Sequence, residues 1–265
     1  MFKKNLRGSL LAASVATASL MISGTALAAP FYVSGSIGLV DQDDSSTDGK
    51  FTSDFTTGTV TGVNPPLTIP AGNKVGWNTT FDDGEAFNLA FGVVLFESFR
   101  VELEYSATEA DVDKHTGVSA AGIDLTDIDA GVLLTGNVGD LGVSVGDLVA
   151  NGKGSLETET FFLNGFYDFH NSTDFTPFIG AGIGYSNIDV DYKPSNVKII
   201  NDDDDVVSYQ ISGGVSYAFN EFFHVVGSVR YRTSDDASVN SSLLPAKFDI
   251  ENESMMYDIG VRYHF

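Results

Sequence analysis

The chain has no cysteine and only one tryptophan in its 265 residues, and it is short of positive charge. Without cysteine, an exported protein forms no disulfide, holds no thiolate metal site and offers no cysteine nucleophile. The count of 14 Lys+Arg against 36 Asp+Glu gives a formal net charge of -22, which repels phosphate backbones and argues against nucleic acid as a partner. A long apolar run is missing too. The best candidate, Leu10 to Ile22, is shorter than the roughly 20 residues a membrane-crossing helix needs. It follows Lys3, Lys4 and Arg7 and precedes the small residues Ala26-Leu27-Ala28, which is the order of a secretory signal peptide. Residues 1–28 are therefore read as a signal peptide cleaved after Ala28, since a cut after Ala29 would leave Pro30 first.

Aromatic residues and glycine are plentiful, with 20 Phe, 10 Tyr and 28 Gly. Their arrangement has a period of two. Val207, Tyr209, Ile211, Gly213, Val215, Tyr217 and Phe219 alternate with Ser208, Gln210, Ser212, Gly214, Ser216 and Ala218. Such alternation marks a strand, and this one exceeds the 9–11 residues or so that a tilted strand needs to cross a bilayer. Further strands are predicted within 31–39, 85–95, 99–105, 156–167, 175–187, 223–232 and 255–265. In 156–167, Phe161 and Phe162 occupy both faces; Thr160 and Asn164 are placed inward.

A β-sandwich also alternates, so the faces and the connections have to decide. One face of each strand is large and apolar, whereas the other mixes glycine, serine and full charges. Connections 96–98, 168–174 and 220–222 are short. Those over about 41–84, 106–155, 188–205 and 234–251 are long. Short inner turns and long outer loops are the outer-membrane barrel arrangement, and lipid forbids open sheet edges. The predicted fold is all-β: residues 29–265 form a closed antiparallel transmembrane barrel, up-and-down, with eight strands. Ten strands remain open, because 123–150 carries apolar runs such as Gly131 to Leu134.

The segments FYVSGSIGLV, FFLNGFYDF, TPFIGAGIGYSNI, SYQISGGVSYAF and GVRYHF resemble the opacity-protein and OmpA-like eight-stranded outer-membrane barrel family, which includes many bacterial surface antigens. The resemblance covers the strands and not the loops, and no peptidoglycan-binding domain is expected after Phe265. It implies the outer membrane of a Gram-negative bacterium, with lipid and lipopolysaccharide as neighbours. It also implies that Tyr263 and Phe265 form a terminal signal read by the barrel-assembly machinery.

All four arginines after residue 28, namely Arg100, Arg230, Arg232 and Arg262, fall on the polar face of predicted strands, and all seven lysines there fall in loops. Glu102, Glu104 and Asp258 share the arginine face. Guanidinium pairs carboxylate in fixed, bidentate geometry, so these seven residues are expected to form a charge network inside the barrel, with Arg230 meeting Asp258 and with Arg100, Arg262, Glu102 and Glu104 lower. The interior of an eight-stranded barrel is only wide enough for side chains to fill it.

Other chemistry is poorly supported. Gly180-Ala181-Gly182-Ile183-Gly184 has no following helix to meet a phosphate, so the glycines are read as leaving room for opposing side chains. Asp41, Asp43 and Asp48 fail the EF-hand spacing, and Asp202 to Asp205 read as a solvated loop tip. His115 lies in an outer loop with no identifiable nucleophile, and Arg230 to Asp235 lacks the histidine of lipid A deacylases, so no enzyme activity and no cofactor are expected. The expected function is structural: a surface antigen or adhesin-like barrel displaying acidic loops to a host surface or cationic ligand, with Trp77 as an aromatic anchor. The alternative is a channel for small solutes or hydrophobes. The outer loops are poor in apolar residues and are expected to be mobile or only locally stapled.

Overall fold

The computed structural model describes residues 31–56, 68–131, 141–150 and 152–265; the expected signal peptide, 1–28, lies outside them. In chain order the strands are β1 (Phe31–Gln42), β2 (Ser45–Phe51), β3 (Phe55–Thr56), β4 (Thr68–Ile69), β5 (Lys74–Phe81), β6 (Gly84–Phe96), β7 (Phe99–Ala120) and β8 (Ile123–Asp124). A short helix, α1 (Val145–Ala150), follows. The remaining strands are β9 (Gly154–Asp168), β10 (Phe175–Tyr192), β11 (Ile200–Ala218), β12 (Phe223–Ser234), β13 (Ala237–Asn240), β14 (Ala246–Ile250) and β15 (Glu253–His264).

Eight of these strands close a ring. β1 pairs with β6, β6 with β7, β7 with β9 and β9 with β10. β10 pairs with β11, β11 with β12, β12 with β15 and β15 with β1, all antiparallel. Closure leaves no free edge, as lipid requires. The ring is complete without residues 123–150, whose described part supplies only β8 and α1, so the barrel has eight strands and not ten.

Four strands run far beyond the lipid. β7 has 22 residues, β9 has 15, β10 has 18 and β11 has 19. Along them the side-chain parity holds while the polarity inverts. On β10 the outward residues pass from Ile179, Ile183 and Tyr185, each more than half exposed, to Asn187, Asp189 and Asp191. The inward residues pass from Gly180, Gly182 and Gly184 to Ile188, Val190 and Tyr192, all three wholly buried. Lipid takes apolar groups on the outside of the wall. Water above it takes charges there and leaves the inside for a dry core.

Above this boundary β2, β5, β13 and β14 take the place of β1, β6, β12 and β15. β7 pairs with β5, β5 with β2, β2 with β14 and β14 with β13. Phe51, Trp77, Val112, Leu156, Ile188, Tyr192, Ile200, Phe248 and Ile250 fill the core of this upper ring, and each such side chain, fully buried, is worth about 1.5–3 kcal/mol. The outer segments are thus largely a folded head, not the mobile loops expected from their composition. Asp202 to Asp205 belong to β11 and not to a loop tip.

Candidate functional site

Within the lipid-level ring, the charged residues on the arginine face come together. Arg100 donates to both carboxylate oxygens of Asp168, at 2.7 and 3.0 Å, and to Tyr32 Oη at 2.9 Å. The Tyr32 hydroxyl in turn donates to Glu102 Oε2 at 2.9 Å. The Arg100 guanidinium lies 4.5 Å from the Phe166 ring centroid, and that of Arg262 lies 4.9 Å from Tyr32. This is the lower layer.

In the upper layer Arg230 Nη1 donates to Glu104 Oε2 at 2.6 Å, and Arg230 Nε stands 2.9 Å from Asp258 Oδ2. Asn88 also donates to Asp258, at 2.9 Å. Arg232 donates to Gln210 Oε1 and Ser106 Oγ, both at 3.1 Å, and lies 3.8 Å from Glu104. The expected Arg230–Asp258 contact is present; Glu104, expected lower beside Glu102, reaches the upper layer instead. Asp168 and Tyr32 add to the predicted set: Asp168 falls in the predicted turn 168–174, and Tyr32 carries no formal charge to single it out. Thr160 and Asn164 do face inward: Thr160 bonds Ser186 at 2.7 Å, and Asn164 donates to Glu104 at 3.3 Å. Between the layers, a cavity of about 40 Å³ is lined by Glu102, Glu104, Arg230, Arg262 and serines, which is room for a few waters. Gly180, Gly182 and Gly184 face Phe166, Asn164 and Phe162 at distances no Cβ could occupy.

Outside the wall, just above the lipid, the register builds a band of acid. Glu85 stands directly opposite Glu109, Glu109 opposite Glu157, Glu157 opposite Asp189 and Asp189 opposite Asp203. Like charges directly opposite destabilise a sheet. Burial and the carboxylates of Glu109 and Asp189 push the Glu157 carboxyl above its ordinary range; burial and Asp203 do the same to Asp189. Asn187 donates to Asp203 and Asp205, at 2.8 and 3.1 Å. Among the described residues, no group of three or more His, Asp or Glu is arranged to hold a metal ion. The band is a continuous strip of negative potential around this part of the wall.

Trp77 is not a surface anchor. It is buried, with its ring centroid 4.8 Å from that of Phe248 and 6.0 Å from that of His115. Its inward position follows from the alternation of Val75, Trp77 and Thr79 with Lys74, Gly76 and Asn78 on β5, a signal present in the sequence. His115 is likewise buried on β7, bonded through Nδ1 to Thr79 Oγ1 at 2.9 Å, and burial pushes its pKa down to about 4. At the other end of the barrel, Tyr263 packs on Phe223 and Phe265, at 4.8 and 5.4 Å between centroids, and Phe265 remains half exposed on the lipid side.

The profile of the Surface antigen family matches residues 71–265. The chain belongs to the surface antigen family of outer-membrane β-barrels. A family relative, the outer membrane protein PagN of Salmonella typhimurium, is 34% identical over 102 residues, which is 38% of this chain and 38% of that protein. The match thus spans well under half the length of this curated relative. The outer membrane protein OprG of Pseudomonas aeruginosa superposes with a TM-score of 0.50 at 18% identity, over 90% of this chain and 97% of that one. That likeness bears on the fold alone. Family membership places this surface antigen in the outer membrane of a Gram-negative bacterium.

Proposed function

We propose that this surface antigen is a non-conducting display barrel, whose rigid acidic head and acid band meet a cationic partner outside the cell, such as a basic host-surface protein or divalent cations bridging to lipopolysaccharide. The carrying observation is the rung of five opposed carboxylates from Glu85 to Asp203. It costs the isolated barrel stability, and a bound cation would offset that cost. Two features support a closed lumen. Side chains of the two charge layers leave only about 40 Å³ between them, and the dry core of the head stands over the outer mouth. Histidine chemistry lacks an orienting acid: Ser216 Oγ lies 3.2 Å from His224 Nδ1, and among the described residues no carboxylate is hydrogen-bonded to that imidazole, so we infer no enzymatic role. We also infer export through residues 1–28 and assembly through Tyr263 and Phe265. Phe265→Ser should lower the heat-modifiable, folded fraction at the outer membrane while the periplasmic, unfolded fraction rises.

The test uses purified protein in vesicles. Binding of a fluorescent basic peptide should be saturable, weaken steeply with salt, and drop several-fold in Glu109→Gln/Glu157→Gln/Asp189→Asn. Binding that is the same in both proteins would rule out the band as the docking surface. Steady nanosiemens currents in planar bilayers would instead establish a pore.

A further inference from the structure

The upper ring of the head is closed by an unusual seam. β13 is an end strand, laddered on one side to β14. Its other edge faces β11, and there two carboxylates substitute for a strand ladder. Ser238 N donates to Asp204 Oδ2 at 2.8 Å; Asn240 N donates to Asp202 Oδ2 at 2.8 Å and Asn240 Nδ2 to the same oxygen at 3.0 Å. Backbone contacts resume only at the ends, with Asp235 N on Val207 O at 2.9 Å and Ser242 N on Ile199 O at 2.8 Å. The hairpin held by this seam carries Val239, Phe248 and Ile250, all wholly buried. Phe248 packs on Trp77, and Trp77 meets His115 edge-on. His115 also faces Tyr192, with 4.9 Å between ring centroids. Its imidazole has one hydrogen-bond partner, Thr79, and its Nε2 is buried without one. A charge on that ring would sit in an apolar core with no carboxylate of the described residues beside it.

We propose that the upper ring is an acid-released clasp: protonation of His115 in the core, followed by Asp202 at the seam, frees the β13–β14 hairpin and uncovers its apolar face. An unburied histidine protonates near 6.5, whereas His115 is held neutral down to about 4. Between those values the opened head takes up a proton that the closed head refuses. Closure is therefore fully favoured above pH 6.5 and weakens as the pH falls to 4, by about two orders of magnitude in the opening equilibrium. The N–H groups of Asn240 hold Asp202 below the usual carboxylate range, so the seam itself gives way only in stronger acid. Around it stand Asp189 and Asp191 on β10, Asp203 and Asp205 on the outer side of β11, and Lys247 and Asp249 on β14.

Trp77, the chain's only tryptophan, reports the docking of the hairpin. The full chain in lipid vesicles should show red-shifted Trp77 emission between pH 6.5 and 4. Amides of residues 237–250 should lose at least tenfold of their intrinsic-rate-corrected exchange protection over the same range, while the barrel stays heat-modifiable. His115→Gln keeps a partner for Thr79 without a titrating ring and should move the transition down by a pH unit or more. Asp202→Ala/Asp204→Ala should unprotect residues 238 and 240 already at pH 7. If that variant does not assemble, Asp202→Asn/Asp204→Asn retains acceptors and should show the His115 step alone. Protection of 237–250 that is unchanged down to pH 3.5, or a transition that His115→Gln leaves in place, overturns the clasp.

Discussion

Arg230→Ala tests whether the lumen charges are a structural core. Arg230 stands between Glu104 and Asp258, whose side chains are each 1% exposed. Breaking a buried pair from one side costs roughly 3–5 kcal/mol, because it strands the partner charge. Here two carboxylates are stranded, but each keeps other donors. Asn88 remains 2.9 Å from Asp258, and Gln210 and Asn164 each remain 3.3 Å from Glu104. The loss should therefore fall near the lower end, about 3 kcal/mol. An exposed control, Lys50→Ala, should stay within about 0.5 kcal/mol of wild type. Neutralising one pair as Arg230→Met/Asp258→Asn should recover most of the loss, since Glu104 keeps Arg232 at 3.8 Å and the lumen stays balanced. Reversible urea unfolding in lipid vesicles, read from the heat-modifiable band, measures all three. An Arg230→Ala loss under about 1 kcal/mol, or a double variant worse than the single one, would show that these charges are solvated and not a packed core.

Three further outcomes follow from the geometry. Gly182→Val should lower assembly, because even a Cβ there would meet Asn164 Oδ1 at 1.9 Å and push aside a side chain held by Glu104 and Gln210, whereas Ala181→Val on the lipid face should assemble normally. Deleting 45–80 touches none of the eight ring strands, so the barrel should remain heat-modifiable. The head, however, loses β2 and β5, so protease should cut within 112–120 and 237–250. Glu157→Gln/Asp189→Asn relieves the acid band. Both carboxyls lie above their ordinary range in the folded state, so the wild type gains stability as the pH falls from neutral towards 4, and the variant should lack that gain. At pH 7 the variant should be more stable by a few tenths of a kcal/mol after solvent screening, and a variant that is less stable at pH 7 would contradict the repulsive reading.

The lipid-level strands were legible because lipid imposes one rule on all eight: apolar outward, small or polar inward. The same rule hid the head. Once β7 passes Tyr105, its apolar residues change faces, from Leu103 and Tyr105 outward to Ala110 and Val112 inward, so a search for one continuous apolar face stops there and reports a loop. Ile188, Val190 and Tyr192, alternating with Asp189 and Asp191, carried the continuation in opposite phase. Arginine parity revealed which charges point inward, and neighbouring strands suggested that Arg230 meets Asp258, but the other partners were not legible. Partners across the lumen depend on the shear of the ring, and that is how Glu104 came to Arg230 and Arg100 to Asp168.

Counting the inward charges gives one more consequence. The lumen holds four arginines, Arg100, Arg230, Arg232 and Arg262, and four carboxylates, Glu102, Glu104, Asp168 and Asp258, all buried or nearly so. An even balance is what a space without room for counterions requires, since any uncompensated charge would carry its full desolvation cost. Every arginine among the described residues is thereby used inside, and the described surface has only lysine as a positive residue. The negative excess of the chain must then lie outside the lumen, concentrated on the wall above the lipid and on the head. Neutral within and strongly acidic without, the barrel offers a permeating ion no attractive path, but it presents an approaching cationic surface with a broad field at the edge of the membrane.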